Sequence, residues 1–157
     1  MNVTDVHTPD QRARNMRAIK NKNTSPELKI RRLLHAGGFR FRLHQRDLPG
    51  RPDLVLPKYK VAVFVQGCFW HGHNCPMFKV PATRTAFWLE KIGKNRARDA
   101  ANEKSLAKLG WRTFYVWECK LRGKGSLEAK AVLEQFRAWL ISTDVTGELS
   151  SHTESAG

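Results

Sequence analysis

The apolar positions of this 157-residue chain change period several times, and each change marks an element. From Thr24 to Gly38, "TSPELKIRRLLHAGG" puts Leu28, Leu33 and Leu34 on part of one helical face. Thr24 or Ser25 can cap that helix, Pro26 fits its first turn, Glu27 suits its N-terminal dipole, and Gly37 and Gly38 end it. The period then drops to two. "FRFRL" alternates apolar and basic, as a half-buried strand does. "PGRP" predicts a turn, "DLVL" a short strand, "PKYK" another turn, and "VAVFV" a wholly apolar strand. That pair reads as a hairpin at the centre of a sheet.

"PATRTAFWLEKIGKNRARDAANEKSLAKLG" is mostly helical, with a break or bend expected near Gly93 and a stop at Gly110. "WRTFYVWEC" predicts a further strand. "SLEAKAVLEQFRAWL" predicts a last helix capped by Ser126. Trp111, Trp117 and Trp139 fall on these patterns and are assigned to the core. The order is helix, three strands, helix, strand, helix, which predicts an α/β fold around one mixed sheet flanked by helices. Residues 1–23 are polar and basic and read as an N-terminal arm, 24–141 as one domain, and 142–157 as a frayed polar tail.

Charge narrows the function. Lys plus Arg number 28 against 14 for Asp plus Glu, a net +14. Such an excess points to a polyanionic partner, because basic side chains displace the counterions of phosphates. No apolar run is long enough to span a bilayer, and the first residues lack the apolar stretch of a signal peptide, so a cytoplasmic protein is expected. The cysteines number 3, an odd count that favours metal ligation or reactive thiols over a disulfide framework.

Chemistry concentrates in "GCFWHGHNC". This loop offers Cys68, His71, His73 and Cys75, and Cys119 offers a fifth donor from a distant strand end. Zinc takes four tetrahedral ligands from these residue types. Cys68, His73, Cys75 and Cys119 would use every cysteine and tie the loop to the strand end; spacing alone does not separate His71 from His73. Buried thiols with no metal are the plain alternative. Asp53 opens a strand next to the one that runs into this loop, so it could hold a hard cation such as Mg²⁺, with Glu27 adding a water-mediated contact. His71, if not a zinc ligand, could take a proton from an attacking water. Singly, Asp53 suits a turn and Glu27 a capping box. Together, on a basic protein, they suggest phosphodiester hydrolysis. Phe69, Trp70 and Trp88 are large aromatics in or near the loop, suited to stacking on bases or to packing on the sheet. Lys94, with Lys79, Arg84, Lys91, Arg96 and Arg98, flanks them as a candidate phosphate grip.

Taken in order, "NMRAIKNKNTSPELKIRRLL", "LPGRPDLVL", "VFVQGCFWHGHNCPMFKVPATRTAFWLEKIGKN" and "LGWRTFYVWEC" resemble the very-short-patch repair (Vsr-type) DNA mismatch endonucleases over about residues 12–140. The resemblance implies a restriction-endonuclease-like (PD-(D/E)XK-type) fold with a structural zinc site. It implies a Mg²⁺-dependent nick beside the T of a T:G mismatch, where 5-methylcytosine has deaminated. By position, it implies Asp53 as the magnesium acid, aided by the Val65 backbone carbonyl and by Glu27 through water. It makes His71 the base, Cys68, His73, Cys75 and Cys119 the zinc ligands, and Phe69, Trp70 and Trp88 a wedge beside the mismatch. The basic arm, with Arg14 and Arg17, would embrace the DNA. A monomer acting on duplex DNA, with mismatch-repair proteins as possible accessories, is expected. The chain departs from the family where members can carry Thr and His: Val65 and Gln66 stand there. Phe64 and Gln66 also occupy the strand that holds an acid and a lysine in the wider superfamily, so the site leans on Asp53. A zinc-stabilised DNA-binding module without catalysis, and a nuclease for another mismatch, are the alternatives.

Overall fold

The computed structural model describes residues 24–123 and 126–150. The expected arm, with Arg14 and Arg17, and the last part of the tail lie outside the described residues.

Helix α1 (Ser25–Ala36) begins at Thr24, with Pro26 in its first turn, and turns its apolar side inward through Ile30 and Leu34. It ends where Gly38 takes a φ of 91°. Five strands follow in spatial order β1 (Arg42–Leu43), β2 (Leu54–Leu56), β3 (Val61–Gln66), β4 (Arg112–Trp117), β5 (Thr146–Glu148). The first three run antiparallel, with Leu54 opposite Val63 and Leu56 opposite Val61, as the hairpin reading expects. The β3–β4 and β4–β5 pairs are parallel, and each needs a helical crossover. Helix α2 (Thr85–Lys108) makes the first and α3 (Ala129–Leu140) the second.

The core lies between the sheet and the α1–α3 layer. Ile30 and Leu34 from α1 and Val132, Phe136 and Trp139 from α3 meet Leu54, Leu56, Val61, Val63, Phe114 and Val116 of the strands. All three residues of β2 are buried, as a strand covered on both faces requires. The chain is therefore a mixed α/β protein built on one five-stranded mixed sheet.

Four sequence expectations are corrected. Gly93 does not break α2, which runs unbroken for 24 residues; Gly93 is exposed there, and one helical glycine costs only about 1 kcal/mol. Helix α3 starts at Ala129 rather than after Ser126, because Leu127 N–H bonds Lys120 O at 2.8 Å and so is held outside the helix. Trp111 and Trp117 are only partly buried, whereas Trp139 belongs to the core. The tail does not fray from 142. Thr146–Glu148 adds β5 to the sheet, and Leu149 is buried at 1% exposure. "TGE" carries no apolar signal; its place is set by Trp139, whose Nε1 donates to Thr146 O at 2.9 Å and whose ring lies where a Cβ on Gly147 would sit. Leu149→Ala is accordingly expected to cost about 2–4 kcal/mol, a melting temperature lower by roughly 5–15 °C. A thermal melt unchanged by that substitution would mean that the strand adds nothing.

Candidate active site and metal centre

Two clusters lie at the carboxyl end of β3. In the first, the ligating atoms of Cys68, His73, Cys75 and Cys119 all lie within 4.8 Å of one another. Local backbone bonds shape this loop. His73 N–H donates to Cys68 O at 2.9 Å, Cys75 N–H to His73 O at 2.8 Å, and Phe78 N–H to Cys75 O at 3.0 Å. Gly72 has φ 59°, and a Cβ there would meet Ile92 Cγ2 at 2.8 Å, so only glycine lets the loop lie against α2. Cys119 arrives from the single 3₁₀ turn Glu118–Lys120 that follows β4. His73 stacks flat on Trp117, with centroids 4.0 Å apart and planes 9° from parallel. Burial pushes the Cys68 and Cys119 thiols up and holds the His73 imidazole below its usual value. A neutral imidazole suits ligation, and a dication is what would draw protons from buried thiols. Ligands around a tetrahedral zinc lie about 3.8 Å apart, so this donor set fits such an ion with small side-chain adjustments. Geometry thus separates the histidines that spacing left equivalent.

His71 is engaged elsewhere. Its Nδ1 lies 2.5 Å from Asp99 Oδ2, on α2. Asn95, one turn earlier, donates through Nδ2 to Trp70 O at 2.9 Å. One face of α2 thus fixes both the loop backbone and the imidazole.

In the second cluster, Asp53 precedes β2. Its Oδ2 accepts a 2.7 Å hydrogen bond from Val65 N–H across the hairpin. Glu27 is 2% exposed and bonds Arg31, four residues on along α1, and His44. His44 Nε2 lies 2.6 Å from Glu27 Oε2. No capping box forms: the Thr24 side chain makes no cap bond, and Glu27 points to this cluster instead. Donor atoms of Glu27, His44 and Asp53 lie within 4.8 Å of one another. Backbone pairing brings His44 there, since its N–H donates to Asp53 O at 3.0 Å. Burial, reinforced by the Glu27 charge, pushes the Asp53 carboxyl up to about 7, against the lowering effect of the Val65 N–H.

That shift sets a pH dependence. The ordinary carboxyl value is 3.8, so between about 4 and 7 the folded chain keeps a proton that the unfolded chain has lost. Stability of Mg²⁺-free protein is therefore full below about 4, falls as pH rises to about 7, and stays reduced above it. Asp53→Asn, with no added divalent ions, is expected to melt higher than the wild type at pH 8, by on the order of 3 kcal/mol, with the gap narrowing at pH 5. A gap that is constant with pH would show that Asp53 ionises freely in the fold.

Asp53, Glu27, Val65, Gln66, His71 and Asp99 line one cleft of about 800 Å³. Lys91 and Arg98, on the α2 face that also carries Asn95 and Asp99, add positive charge to its wall. Lys94 is not among the lining residues; it is exposed and pairs with Glu90 at 3.6 Å. The aromatics form a cluster at the loop whose Trp70 also lines the cleft: Phe69 lies 5.3 Å from Trp70 and 5.5 Å from Trp88, and Trp70 lies 5.8 Å from Trp88. All three are half-buried. They pack on one another and still present surface.

Sequence reasoning missed two residues. Asp99 is an acid inside the basic run "NRARDAANEK", at helical spacing from Asn95, which was a usable signal. His44 had none, because its partner lies across a β1–β2 register that an irregular connection does not fix.

Residues 4–77 match the family described as DNA mismatch endonuclease Vsr. The chain is 45% identical over 149 residues to DNA mismatch endonuclease Vsr of Escherichia coli strain K12, covering 95% of this chain and 96% of that protein. It is 48% identical over 128 residues to the type II nicking enzyme V.XorIIP of Xanthomonas oryzae pv. oryzae, covering 82% of this chain and 94% of that one. The type II nicking enzyme V.NmeAIP of Neisseria meningitidis is 46% identical over 122 residues, covering 78% and 87%.

Proposed function

This chain belongs to the Vsr family of DNA mismatch endonucleases, and we propose that it is a Mg²⁺-dependent enzyme that nicks one strand of duplex DNA beside the T of a T:G mismatch. The observation that carries the reading is that Asp53, Glu27 and the His71–Asp99 pair share one cleft with the basic side chains of Lys91 and Arg98, beside the aromatic cluster.

The Asp53 carboxyl fits a hard cation. It is an oxygen donor whose ionisation is suppressed by burial, and a dication would supply the missing charge. Asp53 would hold Mg²⁺ with the Val65 carbonyl, and Glu27 would act through water. When bound, that ion offsets charge building on the phosphate oxygens.

His71 is the base. With Nδ1–H donating to Asp99, its lone pair lies on Nε2, which takes the proton of the attacking water. The water oxygen then bonds phosphorus as the bridging P–O bond breaks. Asp99 fixes the tautomer and steadies the imidazolium that results. Lys91 and Arg98 hold the backbone phosphates. Gln66 carries no charge and takes no part in the proton transfer. Phe69, Trp70 and Trp88 insert beside the mismatch, where stacking is weakest, and so select the site. The Cys68, His73, Cys75 and Cys119 set holds a structural zinc that fixes the loop between β3 and the 3₁₀ turn. The enzyme acts as a monomer, with Arg14 and Arg17 of the basic arm on the DNA backbone.

His71→Ala is expected to lower single-turnover nicking about 10²–10⁴-fold, and Asp99→Asn should lower it in the same direction. Wild-type rates in both variants would remove the base assignment. Substrate choice is tested by comparing T:G, matched and other mismatched duplexes at fixed Mg²⁺ and salt. Preference for T:G supports the reading. Tight binding without a nick on any of them would favour a non-catalytic DNA-binding module.

A further inference from the structure

His44 has no part in the mechanism above, yet it stands among the acids of the site. Its Nε2 is 2.6 Å from Glu27 Oε2, and its backbone N–H is bonded to Asp53 O at 3.0 Å. Glu27, His44 and Asp53 place one nitrogen and two carboxylate donors within 4.8 Å of each other. Ligands on opposite sides of a six-coordinate ion at ~2.1 Å lie about 4.2 Å apart, so small rotations would let one ion meet all three.

Donor chemistry then decides which ion. Magnesium prefers oxygen and keeps its waters, so an imidazole adds little to its binding. First-row transition dications accept imidazole and carboxylate together, and Mn²⁺ is the one among them best suited to carboxylate oxygens. A Glu–His–Asp set is therefore a mixed site, unlike the sulfur-rich cluster of Cys68, His73, Cys75 and Cys119.

We propose that Glu27, His44 and Asp53 form a nitrogen–oxygen cation site that binds Mn²⁺ through the His44 imidazole. This rests on the reading of Asp53 as the cation-holding acid. The site accepts either ion and holds Mn²⁺ more tightly, so His44 sets metal preference and takes no part in proton transfer. The hydrogen bond between His44 and Glu27 keeps both donors in place until an ion enters between them; the Nε2 proton of that bond then passes to solvent, and the imidazole carries its proton on Nδ1 and meets the ion through the Nε2 lone pair.

The test uses the zinc-loaded full chain and Mn²⁺ itself. Loss of the free-ion EPR signal measures binding, Mg²⁺ competition measures preference, and pulsed EPR reports nitrogen coupling to bound Mn²⁺. The wild type is expected to show ¹⁴N coupling and at least a tenfold preference for Mn²⁺. In His44→Gln the coupling should vanish and Mn²⁺ affinity should fall about 10–100-fold, with Mg²⁺ affinity changed less than threefold. The wild-type spectrum alone decides the matter should that variant fold poorly. Bound Mn²⁺ with no nitrogen coupling overturns the inference, as does coupling that persists in His44→Gln. Mg²⁺-dependent nicking with no such coupling would sink this inference and leave the proposed function standing. Mn²⁺ binding unchanged in Asp53→Ala would sink both the site and the assignment of Asp53.

Discussion

Asp53→Ala is expected to lower Mg²⁺-dependent nicking about a thousandfold or more, while affinity for the same mismatched duplex stays within a few-fold. The other acids that line the cleft are Glu27, Asp99 and Glu118. Asp99 is committed to His71 and Glu118 to Arg122, which leaves Glu27, itself bonded to Arg31 and His44, as the acid beside the cation. Phe64 and Gln66 stand on β3, where a second ligand or a lysine would otherwise help. Stabilisation of the developing charge by a held cation is worth several kcal/mol, and each 1.4 kcal/mol is tenfold in rate. Affinity is supported by the excess of basic side chains and the aromatic cluster, neither of which the substitution weakens. Single-turnover cleavage beside a binding titration at fixed salt separates the two. A variant that nicks within tenfold of the wild type would dismiss Asp53 as the main cation ligand.

Removal of the zinc proposed for the cysteine–histidine cluster should have the largest effect on stability. The four-donor cluster connects the β3 loop to the 3₁₀ turn after β4, and His73 also stacks on Trp117. Without a cation, three thiols and an imidazole would sit together with burial acting on two of the thiols and on the ring. A structural zinc contributes folding free energy directly. Even about 4 kcal/mol would shift the melting temperature of a chain this size by roughly 10 °C. Chelation, or Cys119→Ser, is therefore expected to lower the melting temperature by at least about 10 °C. Verified metal loss with an unchanged melt would show that the cluster is no staple.

The parts legible in the sequence were those encoded locally. The β2–β3 hairpin announced itself by two apolar runs and a short turn, and the structure pairs them at the sheet centre. The cysteine-histidine loop was legible because its donors are close in sequence and Cys119 ends a clear strand pattern. Long-range pairing was less legible. β5 has no apolar residue; packing of Trp139 over Gly147, burial of Leu149 and hydrogen bonds such as Arg112 to Asp144 O and Trp117 Nε1 to Glu148 bring it to β4. Gly93 looked like a breaker, but an exposed glycine inside a long helix costs too little to stop it. His44 depends on β-register, which is not a property of the residues near it in the chain; Asp99 stood at helical spacing from Asn95, and only its contact with His71 depends on how α2 lies over the loop.

The most direct test of the central claim is to map the nick. A duplex with one T:G mismatch, labelled on each strand in turn, is incubated with the protein and Mg²⁺, and the products are sized to the nucleotide. A single break in the T strand, next to the mismatched T and absent from the matched duplex, is the predicted result. An intact duplex, or breaks in both strands irrespective of the mismatch, would contradict it.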